Sequence, residues 1–69
     1  MKGMIYMVTL NKYGIKVNRE WLELFGLSTD EKPTKTFEGR FIGNASTFME
    51  MDTGSVYIYD EDGEKWWEV

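Results

Sequence analysis

Three groups of residues have types and spacing that could do chemistry. The first is the acidic run Asp60-Glu61-Asp62-Gly63-Glu64. Clustered carboxylates at a turn suit Ca²⁺, which takes roughly six to eight oxygen ligands. An EF-hand loop spaces its acids at alternate positions ahead of the Gly and ends on a distal Glu. Here Gly63 directly follows Asp62. Asp60, Asp62 and Glu64 are therefore weak metal candidates, and the run reads first as a solvated hairpin tip. It is also half an Asp-box turn: Gly63 and Trp66 are correctly spaced, but Glu61 and Tyr59 replace the Asp and the Ser.

The second group is the carboxylate pair Glu50 and Glu68, which fall on one strand face beside Tyr57. Glycosidases need two carboxyls at a set separation, in a cleft that raises one pKa. A chain of 69 residues offers little cleft. It also has no His and no Cys. That removes the usual bases and thiol nucleophiles, the common zinc ligands and any disulfide. No Ser sits in a Gly-x-Ser-x-Gly setting. No catalytic residue is assigned, no cofactor is expected, and the chain reads as a non-enzyme.

The third group is an aromatic row, Phe48, Tyr57, Tyr59 and Trp66. A flat row of rings can stack sugars or bases, or anchor a protein partner. Base stacking needs a basic groove as well. Residues 1–49 carry seven basic and five acidic residues, a net +2, whereas residues 50–69 carry seven acids and one Lys, a net −6. Nucleic acid is not expected. A protein partner leads and a glycan is the alternative. In so small a chain the same rings would also serve as core.

The elements that position these residues are written in local signals. Ser46–Val69 holds three short apolar runs parted by Asp-Thr-Gly and Asp-Glu-Asp-Gly. β-branched and aromatic runs between Gly-containing turns read as a three-stranded antiparallel meander. Two-residue loops at Thr53-Gly54 and Asp62-Gly63 pair Met49 with Ile58, Phe48 with Tyr59, Ile58 with Trp67 and Tyr59 with Trp66. One face then carries Met49, Met51, Val56, Ile58, Trp67 and Val69. The other carries the aromatic row with Glu50 and Glu68. Asp62-Gly63 suits a type I′ turn. Thr53 is poor at the positive φ that such a turn needs, so a type I turn with Gly54 in a bulge stays open. Trp66 and Trp67 are adjacent, so one indole lies on each face in either case.

Upstream, Met4–Leu10 reads as a strand and Asn11–Gly14 as a turn. Ile15–Val17 then returns as a short strand that closes an N-terminal hairpin. Asn18 is a suitable N-cap for a two-turn helix over Arg19–Phe25, and Gly26 stands where an αL C-cap belongs. Residues 28–36 are polar, hold the only Pro and read as a surface loop or linker. Phe37–Ile42 reads as a further strand, with Gly39 at a bulge, and Gly43-Asn44 as the turn into the meander.

The expected architecture is α+β and mainly antiparallel β: the C-terminal meander, an N-terminal hairpin and one short helix in a single domain over 1–69. A chain this size buries only about 60% of its unfolded surface, so aromatic bulk or oligomerisation must supply stability. The N-terminus lacks the small-residue cleavage site of a signal peptide. No apolar run reaches the roughly 20 residues of a bilayer span. The protein is expected in the cytoplasm or in a particle assembled there, away from membranes.

Ser46-Thr47-Phe48-Met49-Glu50-Met51-Asp52-Thr53-Gly54, followed by Val56-Tyr57-Ile58-Tyr59-Asp60 and a later Trp, resembles a segment of small proteins from tailed phages and prophages. Those read S-T-F-x-E-M-D-T-G-x-V-Y-x-Y-D, then a few polar residues and a Trp. The likeness covers about a third of the chain. It consists of strand and turn residues, and it carries over no catalytic group. It implies a phage or prophage context in the structural region, where head, tail and baseplate parts are encoded. The expectation is a structural or assembly-associated protein acting through protein–protein contacts, as a homo-oligomer or with other virion proteins, with Phe48, Tyr57, Tyr59 and Trp66 as the candidate interface. The alternatives are a small carbohydrate-binding module using that row and an acidic regulatory or inhibitor protein.

Overall fold

Runs that alternate apolar residues across two faces become strands wherever a neighbour can satisfy their backbone. A computed structural model describes residues 8–16 and 19–69. Its strands are β1 (Thr9–Lys16), β2 (Arg19–Gly26), β3 (Thr36–Phe37), β4 (Arg40–Phe41), β5 (Thr47–Glu50), β6 (Val56–Asp60) and β7 (Lys65–Glu68). Five of them form one sheet in the order β1-β2-β5-β6-β7, and β3 and β4 form a small separate ladder. Neighbours run antiparallel except β2 and β5, which are parallel.

The meander is present as β5-β6-β7. In its second hairpin Ile58 pairs with Trp67 and Tyr59 with Trp66, as the sequence implies. The tip differs from a type I′ turn, because the positive φ falls on Glu64 (φ 50) and not on Gly63. The first hairpin is displaced by two residues, pairing Phe48 with Tyr57 and Met49 with Val56. Its loop is wider than two residues. Glu50 N donates to Ser55 O at 2.9 Å and Gly54 N to Glu50 O at 2.7 Å. Gly54 takes the positive φ of 80 and Thr53 avoids one. A displacement of two keeps every side chain on its expected face.

The helix expected over Arg19–Phe25 is not formed; those residues are β2. Leu22 and Leu24 are buried while their odd-numbered neighbours are only partly so, a period of two. Two helical turns would be marginal alone. As a strand the segment gains a ladder on each side, with β1 and with β5. Its proposed N-cap, Asn18, lies outside the described residues, as do Met4–Met7 of the first expected strand. Asn11–Gly14 is not a turn either. It lies inside β1, which shifts register between Leu10 and Lys12. The N-terminal hairpin therefore exists, but it is β1 with β2. Phe37–Ile42 folds as a tight β3-β4 hairpin instead of one strand. Its central residues Glu38 (φ 52) and Gly39 (φ 80) both take positive φ, as a type I′ turn requires.

One sheet face is covered by the crossover from β2 to β5. Leu22, Leu24, Phe48 and Tyr59 from the sheet and Ile42 from the crossover form the buried cluster. Val8, Leu10, Phe37, Tyr57 and Trp66 pack around it. Ser46, also buried, accepts a hydrogen bond from Leu22 N at 2.9 Å. It satisfies a β2 amide just where the β5 ladder has yet to begin.

Candidate functional site

The aromatic row faces the crossover. Phe48 and Tyr59 are fully buried and Tyr57 and Trp66 are partly so. Tyr59 and Trp66 rings lie 4.9 Å apart, and Phe48 meets Trp66 edge-on at 5.9 Å. The row turns inward because the crossover satisfies its polar tips. Trp66 Nε1 donates to Pro33 O at 2.7 Å, and Lys35 N donates to the Tyr59 hydroxyl at 2.7 Å. Residues 28–36 thus form a packed cover over these rings, and a stacked ligand cannot reach Phe48 or Tyr59. As an interface the four residues do not act together, because core packing has taken two of them.

The carboxylate pair is also divided. Glu50 is buried and Glu68 exposed. Lys32 Nζ reaches from the crossover to Glu50 Oε2 at 2.6 Å, and Thr53 Oγ1 donates to Oε1 at 2.7 Å. The ammonium also lies over the Tyr57 ring at 4.2 Å and the Phe48 ring at 5.0 Å. The Lys32 and Thr53 hydrogen bonds hold the Glu50 carboxyl below the usual carboxylate range. An acid kept ionised in this way is a poor proton donor. Tyr57 shifts upward, first through burial and then through Glu50 and Glu68 nearby. Beside this cluster a groove of about 490 Å³ opens between Val8 and residues 31–38. Of its lining residues, Lys32 is already committed to Glu50.

The acidic turn is occupied by its own backbone. Asp60 Oδ1 accepts from Asp62 N at 3.0 Å and Gly63 N at 3.3 Å, and Trp67 Nε1 donates to Oδ2 at 3.3 Å. These donors hold the Asp60 carboxyl below its ordinary value. Glu61 turns away to Arg19 at 3.4 Å and to Asn44 N at 2.8 Å. Asp60, Asp62 and Glu64 do not converge as a ligand set. Among the described residues no three acids come together to hold a metal.

The opposite face of the sheet is different. Ladder pairing lays Phe25, Met49 and Val56 in one row, and Val69 N donates to Val56 O at 2.8 Å to extend it. The next row runs Lys12, Glu23, Thr47, Ile58 and Trp67. Met49 is 38% exposed, Ile58 40%, Trp67 54% and Val69 79%, with Met51 beside them at 55%. No described element packs across these side chains. Their grouping on one face follows from strand alternation in the meander. The contribution of Phe25 was hidden by the helical reading of β2. The signal that would have found it is the alternation of Trp21, Glu23 and Phe25 with Leu22 and Leu24.

Among the described residues no helix is long and apolar enough to cross a membrane. No family model matches this chain, no curated protein matches it, and no solved structure matches it.

Proposed function

We propose that this chain is a non-enzymatic contact module, a structural or assembly-associated protein that works through protein–protein contact at the outer sheet face. The setting is the phage or prophage context implied by the resemblance of Ser46–Asp60. One observation carries the reading: a patch of apolar side chains across two adjacent ladder rows, Met49 and Val69 in one and Ile58 and Trp67 in the next, stands exposed on a sheet whose other face is already filled. Exposed apolar patches larger than a few hundred Å² mark contact surfaces. Tyr and Trp are the usual anchors there, and Trp67 presents its indole on this face at 54% exposure. Burial of Phe48 and Tyr59 removes the ring platform that the carbohydrate reading needed.

The test compares tagged wild type with Ile58→Glu in cells that assemble the particle. Circular dichroism first establishes that the variant is folded. Wild type is expected to sediment with assembled particles or their intermediates, and the folded variant to be left behind. If the folded variant sediments like wild type, the outer face is not the contact.

A further inference from the structure

We infer that Glu50, Tyr57 and Phe48 form a binding site for a primary alkylammonium ion, which Lys32 of this chain fills as a tethered ligand. The site lies on the covered face, so it stands or falls apart from the outer-face reading.

The walls belong to the sheet. Phe48 and Tyr57 pair across β5 and β6, and Glu50 follows Phe48 on the same face. Phe48 is fully buried and Glu50 is 5% exposed. Thr53 Oγ1 donates to Glu50 Oε1 at 2.7 Å and so fixes the carboxylate. The second oxygen and the two rings converge on one point, which the Lys32 ammonium occupies. It lies 2.6 Å from Glu50 Oε2, 4.2 Å from the Tyr57 ring centroid and 5.0 Å from that of Phe48. A carboxylate that accepts an N–H and ring faces that attract the cation are the elements of amine recognition. The other stacked cations among the described residues are differently placed. Arg40 lies on Tyr13 and Lys65 on Trp67, and both aromatic residues are more than half exposed.

The ligand belongs to the crossover, so its departure leaves every wall in place. Residues 27–32 join no ladder. Besides Lys32, it is Ser28 that fastens them to the β5–β6 loop, its N and Oγ donating to Asp52 at 2.8 Å and 2.6 Å. Segments held by so few bonds open locally while the ladders stay closed. The groove of about 490 Å³ has Lys32 as one wall and gives an incoming amine its route. A lysine side chain is the protein-borne form of this ligand. A partner's lysine held against this face by further contacts would compete with Lys32, whose tether gives it a high effective concentration.

The experiment is chemical rescue. Lys32→Ala is titrated with n-butylammonium chloride, with sodium chloride and tetramethylammonium chloride as controls, and urea midpoints are read at pH 7. With a Kd of the order of 10 mM, about 100 mM n-butylammonium should lower the unfolding constant about tenfold. Tetramethylammonium has no N–H for Glu50 and should act no better than sodium. Wild type, whose site is filled, should respond to n-butylammonium no more than to sodium. Adding Glu50→Gln or Tyr57→Leu to Lys32→Ala should weaken the rescue. If Lys32→Ala is unfolded in buffer, n-butylammonium should fold it. Two measurements on wild type need no variant. Ring currents should place the Lys32 ε-methylene protons upfield of those of Lys12 and Lys35. The Ser28 amide should exchange at least about tenfold faster than the β5–β6 ladder amides.

The site is overturned if n-butylammonium stabilises Lys32→Ala no better than sodium does, if the rescue survives Glu50→Gln undiminished, or if wild type gains equally. Unshifted Lys32 ε-methylene protons would show that Lys32 is not its ligand. A Ser28 amide that exchanges only together with the ladder would mean that the site never opens short of unfolding, and an outside amine would then have no access.

Discussion

Glu50 holds the crossover to the sheet through one oxygen facing Lys32 and the other facing Thr53. Its folded-state pKa lies below the ordinary 4.5, first through the Lys32 hydrogen bond and then through Thr53. Asp52, bonded by Ser28, and Asp60, bonded by the turn amides, shift in the same direction. A depressed carboxylate contributes stability that is present above the unfolded pKa and is lost as pH falls through the folded one. Urea midpoints should thus hold above about pH 5 and fall steadily below about pH 4.5. Glu50→Gln should flatten that fall while lowering the midpoint at neutral pH. A wild-type midpoint unchanged between pH 6 and pH 3 would sink the account. Two small residues also have sharp consequences. A Cβ on Gly26 would sit 2.6 Å from Phe48 Cζ, so Gly26→Ala should cost about 1–3 kcal/mol by overpacking. Ser46→Ala strands the Leu22 amide and should cost about 1–3 kcal/mol. Chemical denaturation measures both.

At the scale of elements, the meander was legible because each strand is bounded by a turn signal and its faces obey a period of two. The pairing of Tyr59 with Trp66 followed from sequence for that reason. The register of β5 on β6 did not, because loop width was decided by hydrogen bonds between Glu50, Gly54 and Ser55. Arg19–Phe25 was misread because Trp21, Leu22 and Phe25 fit a helical stripe and an alternating strand equally well. The choice belongs to β1 and β5, which lie far away in sequence. The aromatic row was located correctly, but which face is core depended on residues 28–36. Their Pro33 carbonyl and Lys35 amide satisfy the two polar ring tips. Tyr59→Phe should accordingly cost about 1 kcal/mol. It should speed hydrogen exchange at the Lys35 amide while the β6–β7 ladder stays protected. Equal loss of protection in both places would mean that the cover and the sheet open as one unit.

For the molecule as a whole, charge and shape pull against each other. At neutral pH a charge of −4 keeps copies apart. Near the pI of about 4.6 that repulsion vanishes while the exposed apolar face remains. Light scattering against pH should show maximal association close to pH 4.6, where carboxylate-linked stability is only beginning to fail. Association strongest at pH 8 would contradict this.

The single parallel ladder has a consequence for how the chain reaches this state. The β1-β2 and β5-β6-β7 units are each built from antiparallel pairs of strands close in sequence, and such hairpins close in microseconds. Glu23 and Thr47, which start the parallel ladder, are 24 residues apart in sequence, with the whole crossover between them. Closing that loop is an entropic search rewarded only when Phe48 and Leu24 finally meet. The seam between the two halves is therefore expected to be the slow event of folding. Ser46→Ala, which loosens it, should lower the refolding arm of a chevron more than it raises the unfolding arm. Changes at the Asp62-Gly63 tip, in a hairpin that closes before the slow step, should likewise act mainly on the refolding arm and leave the unfolding arm nearly unchanged.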